Sequence, residues 1–245
     1  MALKCQTKLL DNDHGPIQSG NYNEILSLEH ENVIKTFEIM KKDNKFFQFM
    51  SYAESGSMEN HMSYLPGDDL NMSIAISFFK SMLSGIQYMH QSGLVHRDLK
   101  PSNILLENGV PKVSDLDLMA NENLLRFKVS GLCGSPHFVA PESWDLNWSI
   151  QSDLWSCGVM LYIMLSGEYP FATHDFRYLR SAICTSPFKP LDKSIPGEVR
   201  RIVEALLEKN PCNRPRSATQ VIECLEIYDL NCDEDYINLW LKFHS

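Results

Sequence analysis

Residues 96 to 103 read His-Arg-Asp-Leu-Lys-Pro-Ser-Asn, placing an acid, two bases, a proline and an amide within eight positions. Residues 104–106 follow as a short apolar strand, and residues 110–113 form a second. Asp115 stands just beyond that second strand. Two short strands in succession bring Asn103 and Asp115 close together. Both offer oxygen ligands, the kind magnesium prefers. Asp98, a second acid, is then free to accept a proton from a hydroxyl.

These residues need elements to hold them. Ile74, Phe78, Met82, Ile86 and Met89 recur at spacings of three and four, the stripe of a long helix that ends near Gly93, just before His96. Residues 152–165 are almost wholly apolar, open with Ser152-Asp153 and stop at Ser166-Gly167. All-round apolarity over 14 residues predicts a core helix rather than a membrane span. Residues 196–208 predict another helix, with Val199, Ile202, Val203, Leu206 and Leu207 on one face, and residues 217–225 one more after a Pro-rich turn. Tyr236, Leu239, Trp240 and Phe243 make a last apolar stripe, expected to dock on the body of the protein.

The front of the chain differs. Residues 33–40 and 45–50 are strand-sized and rich in Phe, Ile and Val, with a polar turn at 41–44, so a hairpin is expected. Residues 18–28 before it predict a helix, with Ser19 as its cap. The chain therefore divides into a strand-rich front, residues 1–53, and a helical back, residues 54–245, joined through residues 54–58.

Composition narrows the function classes. The 245 residues are 44% hydrophobic and 22% charged, which excludes disorder as the default. A net charge of -9 without a clustered run of Lys or Arg gives no nucleic-acid footprint. No uncharged apolar run reaches the length of a membrane span. The seven cysteines show no Cys-x-x-Cys spacing and no even framework, which predicts reduced thiols and an intracellular chain.

His96 to Asn103 resembles the catalytic-loop signature of eukaryotic-type serine/threonine protein kinases. Ala140-Pro141-Glu142, the run from Ser152-Asp153 to Cys157-Gly158, and Asn210-Pro211 with Arg214-Pro215 follow in that family's order. The resemblance covers residues 1 to about 227, and Lys100 matches the serine/threonine form. Cys133-Gly134-Ser135-Pro136 and residues 165–171 are most similar to calcium/calmodulin-type and checkpoint-type kinases.

The resemblance implies an α+β, bilobal fold, with a truncated small β-rich N-lobe and a large α-helical C-lobe. It implies ATP and Mg2+ as cofactors and a protein substrate with a Ser or Thr acceptor. It makes Asp98 the proton acceptor, Lys100 the residue steadying the phosphoryl group, and Asn103 and Asp115 the metal ligands. It assigns Lys4 to the α- and β-phosphates, Met50 to the gatekeeper position, and Ser51 to Ala53 to the backbone that meets adenine. Ser135 is expected to position Asp98 and Lys100, Glu142 and Arg214 to form a buried ion pair, and Asp153 to hold the catalytic-loop backbone. Arg97 serves fold or regulation, and Cys133 is a packed small group.

Four departures stand out. No glycine-rich loop precedes Lys4, and Gly15 and Gly20 come after it. The position of the helix glutamate falls on Asn21, with Glu24 the nearest acid. The Asp-Phe-Gly motif reads Asp115-Leu116-Asp117, which is strained if the third residue needs a positive φ. The usual activation-loop phosphosite falls on Gly131, so either the neighbouring Ser130 is the acceptor or no phosphate is required. A second reading, favoured by the missing loop and Asp117, is a pseudokinase that binds without turnover. A third is a kinase product lacking its first segment.

Overall fold

The structure, a computed structural model, describes residues 1–7, 22–42, 45–65, 69–125, 133–173 and 175–226. Strand β1 (Ala2–Thr7), helix α1 (Tyr22–Ser27), strand β2 (Thr36–Lys42) and strand β3 (Lys45–Met50) build the front. The sheet order is β1-β3-β2, antiparallel throughout, with Lys4 opposite Gln48 and Met50 opposite both Ala2 and Thr36. The expected pair of strands is therefore present, the second over Lys45–Met50 as expected, but the first begins only at Thr36 and runs to Lys42. Val33 and Ile34 are used elsewhere: Ile34 N–H donates to Val113 O at 2.9 Å, and Val113 N–H donates to Asn32 O at 2.8 Å. That exchange ties the front of the chain to the strands carrying the candidate site.

The back holds the remaining helices and, among the described residues, two short strand pairings. Helix α2 (Asp69–Gln91) buries the whole stripe Ile74, Phe78, Met82, Ile86 and Met89. Strand β4 (Leu94–Val95) follows it, then β5 (Ile104–Glu107) and β6 (Val110–Val113), which pair antiparallel with each other. Strand β7 (Ala120–Asn121) pairs with β4 and leads into α3 (Glu122–Leu125). The β4 and β7 pair has two residues per strand, too short for sequence periodicity to reveal.

Helix α4 (Ile150–Ser166) is the buried axis of the back; every residue from Ser152 to Leu165 is buried. It starts two residues before the sequence expectation. Ser149 is the cap and accepts from Gln151 N–H, while Ser152 sits at the third helical position and completes a capping box. Gly167 ends the helix in the left-handed conformation, φ 72, as its sequence position predicts. Gly158 allows close approach to the next helix layer, since a Cβ there would lie 2.6 Å from the Cβ of Leu206.

Helices α5 (Leu179–Thr185), α6 (Gly197–Leu206) and α7 (Ala218–Glu226) close the core. α6 is shorter than its apolar pattern suggests and stops before Glu208. The part of the 18–28 prediction that is described is α1; Ser19, the turn at 43–44 and the stripe from Tyr236 to Phe243 lie outside the described residues. No described helix is long and apolar enough to cross a membrane.

Lys209 links these helices. Its Nζ lies 3.8 Å from the Phe171 ring centroid and 5.1 Å from that of Trp155, and it donates to Ile183 O. Burial lowers its pKa from 10.5 to about 8. The unfolded chain therefore binds more protons than the folded one across that window. The associated cost to stability is fully present below pH 8 and is relieved as pH rises from about 8 towards 10.5. Relative to Lys209→Met, the parent should gain melting temperature across that window; a difference independent of pH would contradict this.

Candidate active site

The loop after β4 is fixed from below by one carboxylate. Asp153, in the first turn of α4, is buried and accepts Arg97 N–H on Oδ1 at 3.0 Å. Its Oδ2 accepts His96 N–H at 2.8 Å and His90 Nε2–H at 2.9 Å. Burial pushes this carboxyl up. The hydrogen bonds from His90 and from the His96 N–H outweigh that and hold it below the usual carboxylate range.

His96 extends the scaffold upward. Its Nδ1 accepts Asp98 N–H at 3.2 Å, so the proton resides on Nε2, which donates to Ser114 O at 2.8 Å. Ser114 in turn donates both its N–H, at 2.8 Å, and its hydroxyl, at 2.9 Å, to Asn103 O. This chain of bonds joins the Asp98 loop to the turn carrying Asp115. His90, His96 and Ser114 went unassigned at the sequence level. A histidine in a core looks the same in sequence whether it fills space or orients a catalytic loop.

Above the scaffold, four side chains meet. Lys100 Nζ lies 2.9 Å from Asp98 Oδ2 and donates to Ser135 Oγ at 2.8 Å. Ser135 Oγ donates to Asp98 Oδ1 at 3.1 Å. Asn103 Nδ2 donates to Asp98 O at 2.8 Å and to Asp98 Oδ2 at 3.1 Å. Ser135 reaches this position because Gly134 adopts φ 87 and passes close to the loop; a Cβ on it would lie 2.7 Å from Arg97 O. Asp98 and Lys100 keep some solvent access, with side-chain exposures of 10% and 25%.

Asp115 adopts the left-handed conformation, φ 59 and ψ 58, and opens a short 3-10 turn over Leu116–Leu118. Leu116 is buried, filling the apolar plug position. Asp117 is not among the residues with positive φ, so the glycine-like strain anticipated at that position is absent; the left-handed residue is Asp115. Asp117 is buried and faces α1, where burial first and the Asp117 charge second raise the Tyr22 hydroxyl pKa.

The nucleotide-side candidates lie around the sheet. Lys4 is central in β1, opposite Gln48, and its side chain lies outside the described residues. Glu24 sits on α1 with Oε2 buried and without a hydrogen-bond partner; Asn21 lies outside the described residues. Met50 is buried at the end of β3. Ser51 N–H donates to Lys35 O at 2.9 Å, and Ala53 O accepts Gly56 N–H at 3.3 Å. Among the described backbone–backbone bonds outside helices and strands, none uses the Ser51 carbonyl or the Ala53 N–H.

Arg97 is buried at φ 69, donates Nε–H to Leu118 O at 2.6 Å and lies 6.0 Å from the Trp148 ring. Its Nη1 is buried without a partner. Cys133 beside it is half-buried; burial raises the thiol pKa against the pull of Arg97. Ser130 and Gly131 lie outside the described residues.

Asn103 and Asp115 suit magnesium. Asn103 commits its amide nitrogen to Asp98, so the amide oxygen is its remaining polar atom. One amide oxygen and one carboxylate are the small protein donor set that magnesium takes when phosphates and water complete its octahedron. No group of three or more His, Cys, Asp or Glu able to hold a metal occurs among the described residues.

A small antiparallel sheet and a helical body carrying this cluster make up a bilobal fold. The model of the protein kinase domain family matches residues 1–224, and the chain belongs to that family. Over 202 residues it is 32% identical to CBL-interacting protein kinase 12 of Oryza sativa, covering 78% of this chain and 36% of that protein. It is 33% identical over 197 residues to CBL-interacting serine/threonine-protein kinase 12 of Arabidopsis thaliana, covering 76% and 38%. It is 33% identical over 193 residues to serine/threonine-protein kinase GIN4 of Saccharomyces cerevisiae, covering 76% and 17%. The aligned regions span less than half the length of these relatives.

Proposed function

We propose that the chain transfers the γ-phosphoryl group of ATP to serine or threonine hydroxyls of protein substrates. The single observation that carries this is the closed set of contacts among Asp98, Lys100, Ser135 and Asn103. It sets a partly exposed carboxylate where it can orient a hydroxyl and receive its proton, with a cation alongside. The hydroxyl oxygen bonds to the γ-phosphorus, its proton passes to Asp98, and the bond to the β-phosphate oxygen breaks to release ADP. Lys100 offsets the negative charge of the group in flight. Ser135 and Asn103 hold Asp98 in one rotamer.

Asn103 and Asp115 would hold Mg2+, which neutralises phosphate charge when bound. Lys4 would pair with the α- and β-phosphates, and Glu24, the nearest acid on α1, would support it. Met50 would limit the depth of the adenine pocket. The Ser51 carbonyl and Ala53 N–H supply one acceptor and one donor for the purine edge. The Arabidopsis and yeast relatives, both named serine/threonine-protein kinases, support the serine/threonine assignment. The working location is the cytoplasm or nucleus, where ATP and reduced thiols are found.

Nucleotide binding is tested by thermal denaturation. Mg·ATP at 100 times its Kd should stabilise the chain by about 2.7 kcal/mol. Asp115→Ala should lose the magnesium-dependent part of that shift. No shift at millimolar Mg·ATP would overturn the proposal.

A further inference from the structure

The turn that carries Ser135 continues into an aromatic surface that the phosphotransfer steps leave unused. Pro136–Phe138 is a short 3-10 turn, closed by Phe138 N–H donating to Ser135 O at 2.8 Å. Ser156 of α4 fixes it from below, donating its hydroxyl to Phe138 O at 2.8 Å. Tyr169 meets the turn from the loop after α4. Its ring centroid lies 4.4 Å from that of His137, with the planes tilted by 33°, and 6.1 Å from that of Phe138, edge-on at 71°. Phe138 is buried and His137 half-buried, whereas Tyr169 is 43% exposed. The Tyr169 loop is itself pinned: Glu168 N–H donates to Ser166 Oγ at 3.2 Å, and Lys189 N–H to Pro170 O at 3.4 Å.

We propose, on the basis of that phosphotransfer to protein hydroxyls, that His137 and Tyr169 form a platform selecting an aromatic side chain of the substrate, close in sequence to its acceptor Ser or Thr. Reach supports this. Ser135 Oγ lies 3.1 Å from Asp98 Oδ1, and His137 is two residues further on, at most about 7 Å along the chain. An extended peptide advances about 3.3 Å per residue, so a side chain within about five residues of the acceptor can lie over the two rings.

The chemistry of the surface selects the guest. A third ring gains offset or edge-to-face contact with the pair already in place. Because both rings are held before substrate arrives, little side-chain ordering is left to weaken binding. Burial lowers the His137 pKa, so its ring is neutral at pH 7. Glu168, the acid next to Tyr169, is paired with Lys189 at 2.7 Å. A neutral ring surface beside a compensated acid favours an aromatic guest over an arginine or a carboxylate.

Positional scanning of peptides in the full chain tests this. Peptides with one Ser acceptor carry each amino acid in turn at positions within about five residues on either side. At one position Phe, Tyr or Trp should raise kcat/KM about two- to tenfold over Ala. The readout is the ratio between the aromatic and the Ala peptide, so a general loss of activity in a variant cancels. Tyr169→Leu keeps apolar bulk without the ring and should bring that ratio close to one. Tyr169→Phe, which restores the ring, should recover it. Labelling with no aromatic preference at any position, a preference for arginine or an acid over aromatic residues, or a ratio unchanged by Tyr169→Leu would overturn this proposal alone. Absence of labelling on every peptide by a folded parent would overturn the phosphotransfer proposal, and this one with it.

Discussion

Glu142→Gln is expected to destabilise the fold by about 3–5 kcal/mol. The Arg214 side chain has no solvent exposure and faces Glu142 in a fork, Nη1 to Oε1 at 2.7 Å and Nη2 to Oε2 at 2.8 Å. Its other N–H groups go to Glu208 O, Gln151 O and Lys209 O, and its guanidinium lies 5.0 Å from the Trp155 ring. A glutamine offers one oxygen where two charged ones stood, and leaves the buried cation uncompensated. Against a typical total of about 5–15 kcal/mol, that loss removes a large share of the stability. Urea denaturation with an unchanged m-value measures it. Adding Arg214→Met should recover part of the loss, because the stranded charge is then gone. A single-variant effect within about 0.5 kcal/mol would place the pair among ordinary surface contacts.

The catalytic cluster was legible because its residue types are unusual together and crowd into one loop. Asp98, Lys100 and Asn103 span six positions, and short strands carry the chain on to Asp115. The helical stripes were legible for a different reason: long apolar periodicities survive any tertiary context. What escaped the sequence is mostly local choice between equivalent residues. Ser149 and Ser152 are both good caps, and only the packing of α4 decides which one ends the turn. Val33 and Ile34 look like strand residues, yet Ile34 and the neighbouring Asn32 bond to Val113 of β6, while Val33 N–H turns back to His30 O. Asp117 occupies a glycine position without glycine geometry, because the left-handed residue is two places earlier. The roles of His90 and His96 depend on a carboxylate 63 and 57 positions away, beyond the reach of any local pattern.

The second large effect concerns Asp98 itself. Asp98→Asn keeps the size and shape of the side chain and still offers Oδ1 to Ser135 and to substrate. It removes the negative charge beside Lys100 and the oxygen that could take a proton. General-base action is worth about 10²–10⁴-fold. That corresponds to roughly 2.7–5.4 kcal/mol of barrier. The loss should appear in kcat, with the KM for ATP nearly unchanged, because Asp98 sits on the hydroxyl side of the transfer. Stability should change little, since Asp98 and Lys100 retain solvent access.

Phosphate transfer from γ-labelled ATP to a mixture of Ser- and Thr-containing peptides, compared between the parent chain and Asp98→Asn, tests the central claim most directly. The account predicts magnesium-dependent labelling of serine or threonine by the parent, reduced at least about 10²-fold in the variant. Equal labelling by the two chains, or none by a parent that is folded and binds Mg·ATP, would contradict it.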